Sequence, residues 1–351
     1  MPRLKRVHCD GPGFTRRRRG KGFEYIDENG RRITDPAVVE RVRALGIPPA
    51  WKDVWICPLD NGHLQAVGTD DAGRKQYLYH EQWRVRRDQE KFNHMVEFAN
   101  TLPKIRHATN QHLMQKGLPR ERVLACAVRL LDRGFFRVGG EAYRDQNNTF
   151  GLATMLKEHA SLNGRAVIFE YIAKSGKERI QSVVDPEVYE VVAALKRRRS
   201  GGKELLVYRA PGKVWRDVKS NDINAYIKEI SSGDYSAKDF RTWHATVHAA
   251  VALSVSFAAA SSQTSRKRAI SRAVKEVAHY LGNTPAVCRR SYIDPRVIDR
   301  YESGVTMAGV LDELGATGAL DEPSLQGAVE EAVLDLIEER HSSPFVEKVA
   351  I

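Results

Sequence analysis

Apolar positions follow two rhythms along the chain. Up to about residue 95 they come in short alternating runs divided by turn-forming residues, the pattern of strands. Phe23, Tyr25 and Ile26 alternate imperfectly, and Asn29-Gly30 is a turn signal. Asp35-Pro36 opens a helix at its first turn, with Val38, Val39, Val42 and Leu45 as its apolar stripe and Gly46 as its stop. Residues 48–51 and 55–58 flank another short strand, 64–69 reads as a strand, 70–73 as a turn and 74–80 as the returning strand. In that last strand Gln76, Leu78 and His80 share one face and Tyr77 and Tyr79 the other. The two tyrosines could lie against a nucleic acid or pack on the domain's own core; the strand taken alone favours packing. From Glu81 a long basic helix runs through Trp83, Phe92, Met95, Phe98 and Ala99 and leads out of this part of the chain.

Beyond it the spacing is mainly helical. Val123, Leu124, Ala127, Leu130 and Leu131 mark a helix over 121–133. Strands over 164–171 and 178–183 enclose a hairpin turn at 173–177, and helices follow over 187–196 and 222–230. Phe240, Trp243, Val247 and Val251 form the stripe of a long helix that opens near Lys238, with Arg241 at its edge. Ile270, Ala273, Val274, Val277 and Leu281 form the next stripe, which delivers Asn283. The last helix carries Val329, Ala332, Val333, Leu336 and Ile337, with Glu330, Glu331, Asp335, Glu338 and Glu339 as an acidic face directed to solvent, away from any phosphate partner. The pattern predicts an α+β protein: a small β-rich N-terminal domain, 1–95, and a larger, mainly helical domain, 96–351.

Charge changes the picture. The 351 residues carry 56 Lys and Arg against 44 Asp and Glu, a net charge of +12, so a polyanion is the expected partner. The densest run, Arg16-Arg17-Arg18-Arg19, reads equally as a solvated arm or as phosphate contacts. No uncharged apolar run is long enough to span a bilayer, and the N-terminal residues do not read as a secretory signal. Cys9, Cys57, Cys126 and Cys288 are far apart, which suggests neither a zinc site nor a disulfide framework and fits a reduced, cytoplasmic protein.

The candidate chemistry lies in five places. Asn283 and Tyr292 fall within one short stretch, LGNTPAVCRRSY, after a helix. Arg137 stands among aromatics and glycines in FFRVGGEAY, which suggests a close backbone approach; alone it reads as a salt-bridged arginine at a helix end. Lys174 sits at the hairpin tip in AKSGK, where a lysine is normally solvated. Arg241 lies in KDFRTW. Taken together and in order, with GKGFEYIDENG, IPPAWKDVWICP and GRKQYLYH in the small domain, these stretches resemble the type IB DNA topoisomerases, specifically the compact poxvirus and bacterial group, from about residue 10 to about 340.

The resemblance implies a C-shaped clamp of two domains on duplex DNA. It implies cleavage of one strand by Tyr292 to a 3'-phosphotyrosyl intermediate, swivelling and religation, with no ATP, metal or other cofactor. Arg137 and Arg241 would hold the non-bridging oxygens with forked donors, and Lys174 would protonate the leaving 5'-oxygen. Many relatives have histidine in place of Asn283; an amide donates a hydrogen bond but carries no charge, which suits oxyanion stabilisation. Gln76, Tyr77, Tyr79 and Tyr143 become DNA-contact candidates. Poxvirus members have a base-reading lysine where this chain has Gly140, so their pentamer preference is not expected. A monomer associated with the nucleoid is the implied state. Two alternatives remain from the residues: a tyrosine recombinase, which generally has His-x-x-Arg where this chain has Lys238-x-x-Arg241, and a basic architectural DNA-binding protein without chemistry.

Overall fold

The computed structural model describes residues 3–20, 22–257, 259–260, 262–307, 309–310, 324–340 and 343–348. It divides into two compact units, Met1–Phe92 and Asn93–Ile351. The division falls inside one helix, α2 (Glu81–Leu113), so the border comes within an element and not in a linker.

In the first unit an antiparallel five-stranded sheet has the order β2-β1-β3-β4-β5, formed by Phe14–Arg19 (β1), Gly22–Ile26 (β2), Lys52–Ile56 (β3), Leu64–Thr69 (β4) and Lys75–Tyr79 (β5). Helix α1 (Pro36–Ala44) starts where Asp35 accepts the Ala37 N–H at 2.9 Å, and its Val42 joins Val54, Ile56 and Ala66 in the core. The arginine run is a correction to the solvated-arm reading: Arg16 to Arg19 form strand β1. Their charge is accommodated locally. Arg16 turns inward over the Phe23 ring and donates to the carbonyls of Ile47, Pro48 and Trp51. Arg17 pairs with Glu24, its cross-strand neighbour, at 2.6 Å. Strand β5 corrects another expectation. Leu78 packs on the core, but Tyr77 and Tyr79 are 45% and 39% exposed and stack on each other, centroids 6.2 Å apart.

The second unit is built around α3 (Arg120–Gly134), which is buried nearly all round because α5 (Pro186–Arg197), α6 (Ser220–Ser231) and α7 (Ala237–Phe257) all pack on it. Even its Arg129 is buried, paired with Asp185 at 3.0 Å. A three-stranded antiparallel sheet, β6 (Ala160–Asn163), β7 (Ala166–Ala173) and β8 (Lys177–Val184), carries the hairpin. A small ribbon of β9 (Val207–Arg209) and β10 (Trp215–Asp217) was not expected from the sequence. Helices α8 (Gln263–Leu281), α9 (Pro285–Ser291) and α10 (Pro295–Glu302) follow α7. The last helix, Ser324–Glu338, does not turn all its acids to solvent. Glu330 and Asp335 are buried, and the Glu330 carboxylate accepts from Arg106 at 2.6 Å and from the Trp243 indole at 2.9 Å. Arg106 and the buried Trp243 indole claim Glu330, which serves as an internal partner, while Asp335 accepts from the Ser343 hydroxyl at 2.6 Å and pairs with Arg340 at 3.1 Å. Among the described residues no helix is long and apolar enough to cross a membrane.

Candidate active site

Three elements end at one place. Helix α3 stops with Phe135 in the left-handed region (φ 55, ψ 22), which aims its carbonyl at the Arg241 Nη1, 2.6 Å away. Arg137 follows two residues later. The glycines behind it do mark a close approach, and the approaching segment is the chain's own: a Cβ at Gly139 (φ +83) would lie 2.9 Å from the Gly151 Cα. Hydrogen bonds from Leu152 and Ala153 to the carbonyls of Arg137 and Val138 hold that contact. Arg137 itself is not tied to a carboxylate in a simple ion pair; its guanidinium donates to the Asn283 Oδ1 and, at 3.3 Å, to the Leu281 carbonyl.

Arg241 lies in the first turns of α7 and is only 5% exposed, a deeper position than the edge of the stripe suggested. Its second donor, Nη2, reaches the Leu281 carbonyl at 2.8 Å. Helix α8 closes on Gly282 (φ 65, ψ 31), whose N–H reaches back to the Ala278 and His279 carbonyls, and the carbonyls of its last turn still have room for further donors. Arginines take them: Arg179 those of His279 and Tyr280, Arg137 and Arg241 that of Leu281. The negative end of the helix dipole favours this gathering of guanidinium groups.

Past that turn the Asn283 amide accepts from Arg137, and its buried Nδ2 has no hydrogen-bond partner among the described residues. Thr284 and Pro285 start α9, and Tyr292 caps it, its N–H on the Cys288 carbonyl at 2.9 Å. Thr246 of α7 donates to the Tyr292 carbonyl at 3.2 Å, and its own hydroxyl oxygen accepts the Asp294 N–H at 3.1 Å. The nucleophile candidate is therefore fastened to the helix that carries Arg241.

A cavity of about 250 Å³ is lined by Arg137, Lys174, Lys238, Arg241 and Tyr292, with Gly139 and Gly140 on one wall. Lys174 opens the tight turn between β7 and β8. The Arg241 guanidinium carbon lies 5.7 Å from the centre of the Tyr292 ring. Burial pushes the Tyr292 hydroxyl up, but Arg241, Arg137 and Lys238 outweigh it and hold the pKa below the ordinary tyrosine value. Burial, and then Arg137, pushes Arg241 down to about 10, so it stays protonated at neutral pH.

Four of the five candidates thus line one cavity, and Asn283 sits behind Arg137 instead of on the wall. Lys238 and Arg179 were not among the candidates. Lys238 had a signal, since three residues before Arg241 is the same helix face. Arg179 had none, because its partner carbonyl lies 100 residues further on. Of the DNA-contact candidates, Tyr77 and Tyr79 are exposed, while the Gln76 amide donates to Asp70 within its own hairpin at 2.9 Å. Tyr143 falls in a short helix, α4 (Glu141–Asn147), and its side chain lies outside the described residues.

An arginine pair, a lysine and a tyrosine line one small cavity in the unit that carries the longer family match. The family model for the catalytic core of eukaryotic DNA topoisomerase I matches residues 80–308, and that for the N-terminal domain of bacterial DNA topoisomerase IB matches residues 22–70. The chain belongs to the type IB DNA topoisomerases, enzymes of the isomerase class. The DNA topoisomerase 1B of Acanthamoeba polyphaga mimivirus is 28% identical over 299 residues, covering 83% of this chain and 88% of the viral one. The DNA topoisomerase 1B of vaccinia virus (strain Copenhagen) is 22% identical over 235 residues, 66% of this chain and 71% of its own. The DNA topoisomerase 1 of Schizosaccharomyces pombe is 30% identical over 128 residues, 36% of this chain and 15% of its own.

Proposed function

We propose that the protein relaxes supercoiled duplex DNA by cleaving one strand with Tyr292, letting the free end swivel, and resealing the strand. The Tyr292 Oη attacks the phosphorus and its proton passes to solvent, the P–O5' bond breaks, and the 3'-phosphate of the cut strand is left joined to the tyrosine. Lys174 gives a proton to the departing O5'. In resealing, the O5' hydroxyl attacks, Lys174 takes the proton back, and the P–Oη bond breaks. The phosphotyrosine conserves the bond energy, so ATP is not required. Arg137 and Arg241 hold the non-bridging oxygens, the electrostatic work that metal ions perform in other phosphoryl-transfer sites. Asn283 supports oxyanion stabilisation from behind, by steadying Arg137 through its Oδ1. Tyr77 and Tyr79, exposed on β5, contact the DNA.

The observation that carries this reading is the position of Tyr292, in the same cavity as Arg137, Lys174 and Arg241 and with its pKa lowered by the two arginines. A tyrosine recombinase would share the constellation; the match of residues 22–70 to a bacterial topoisomerase IB domain favours the topoisomerase. The test is denaturation of an enzyme–duplex mixture followed by gel separation. Wild type should carry labelled DNA covalently on its 3'-phosphate side and Tyr292→Phe should carry none. An adduct of equal yield in Tyr292→Phe would reject the assignment.

A further inference from the structure

The hairpin that carries Lys174 is docked by a residue that the proposed chemistry does not use. Arg179 lies on β8 opposite Tyr171 of β7, and Ala173 and Lys177 close the turn between them. Its guanidinium leaves the sheet and crosses to the end of α8, where Nη1 donates to the His279 carbonyl at 2.9 Å and Nη2 to the Tyr280 carbonyl. The next carbonyl in that turn, of Leu281, accepts from Arg137 and Arg241. Three successive carbonyls of one helix end therefore locate both phosphate-binding arginines and the lysine hairpin. Lys174, Lys177 and Arg179 face Leu281 and Gly282 across a gap of only about 10 Å³. A second anchor lies one step nearer the base: the hydroxyl of Tyr171, opposite Arg179, donates to Gln181 at 2.6 Å, and the Gln181 amide donates to the Gly134 carbonyl. Arg179 is thus a fastening for the distal part of an otherwise anchored hairpin.

We infer that Arg179 is a positioning residue that sets the Lys174 ammonium at the leaving oxygen by docking the β7–β8 hairpin on the C-terminal turn of α8. The inference rests on the reading of Lys174 as general acid. Lys174 stands three residues beyond the cross-strand partner of Arg179, about 10 Å along the strand. A hairpin tip of that reach moves unless something beyond its own ladder holds it, and a general acid displaced by about 1 Å loses up to about 100-fold in rate.

The chemistry supplies a test that a merely structural role would not satisfy. In the normal duplex the P–O5' bond breaks and the alkoxide needs a proton. When sulfur replaces the bridging 5'-oxygen, the P–S bond breaks and the leaving thiolate, whose parent thiol has a pKa of about 8.5, needs none. Single-turnover cleavage is measured on oxygen- and sulfur-bridged duplexes carrying a cleavage site mapped beforehand. Arg179→Met should cleave the oxygen duplex about 10- to 100-fold more slowly than wild type and the sulfur duplex at the wild-type rate. Equal slowing on both duplexes, or none on oxygen, would overturn the inference. The double variant with Lys174→Ala should be no slower on oxygen than Lys174→Ala alone, because Arg179 acts through that lysine; additive losses would contradict it. Lys174→Ala on the sulfur duplex separates the two claims. If it stays slow, the general-acid assignment fails; if it is rescued and Arg179→Met is not, only the role of Arg179 fails. Should the methionine variant not fold, Arg179→Lys, which keeps the cation but reaches one carbonyl, gives the same comparison.

Discussion

A tyrosine hydroxyl with an ordinary pKa of about 10 is a poor nucleophile near neutral pH, and three cations around Tyr292 act on that deficiency. Because its pKa is lowered, the cleavage rate should rise with pH and level off below pH ~10. Lys238→Ala removes one of the cations, so the plateau should move to higher pH; an unmoved profile would show that Lys238 does not act on Tyr292. Asn283→His should retain activity, because an imidazole nitrogen can also bond Arg137 or a phosphate oxygen. A folded but wholly inactive Asn283→His would count against the role proposed for Asn283. Residues with these roles are legible in sequence when their chemistry needs a fixed type within a local motif, as for Arg241 in KDFRTW or Tyr292 in CRRSYIDP. Arg179 is not legible, since an arginine on a strand looks solvated until the helix end that it meets is folded against it.

Elements were legible where local signals and burial agree. Asp35-Pro36 opened α1 as read; the same capping opens α5 and α10, where it was not used, the Asp185 side chain accepting from Val188 at 3.0 Å and Asp294 from Arg296 at 2.9 Å, and α10 itself was not expected. Strand β1 was obscured because four consecutive arginines resemble an arm until Glu24 pairs with Arg17 and the carbonyls of Ile47, Pro48 and Trp51 accept from Arg16. The last helix was misread on one face for a related reason. Its Glu330 belongs to a buried network that ties α2, α3 and α7 to it through Arg106, Asp132 and Trp243. Burial alone would raise the Asp132 pKa, but His244 and Arg106 outweigh it and hold it below the usual carboxylate range. A carboxylate whose folded pKa is depressed contributes stability above its unfolded value, about 3.9, and that contribution is lost as the pH falls toward the depressed value. Asp132→Asn should therefore lower stability by about 1.5–3 kcal/mol at neutral pH, the range for a hydrogen bond to a charged group, because Arg106 keeps its pair with Glu330. Urea melts at pH 7 and pH 3 check this: the gap between variant and wild type should shrink at the lower pH, and a pH-independent gap would contradict the ion-pair account.

At the scale of the whole molecule, the net charge of +12 and the two family matches agree on DNA as the expected substrate. Cleavage mapped on a random duplex should occur at many sites beyond the poxvirus motif, as the resemblance implies with Gly140 in place of a base-reading lysine. Cutting at that motif alone would contradict the expectation. The central claim is that Tyr292, held among Arg137, Lys174 and Arg241, exchanges one phosphodiester for another without ATP or metal. The most direct measurement is relaxation of supercoiled plasmid in EDTA with no ATP, by wild type and by Tyr292→Phe. Wild type should relax the plasmid and Tyr292→Phe should leave it supercoiled; relaxation by both proteins, or by neither, would contradict the account.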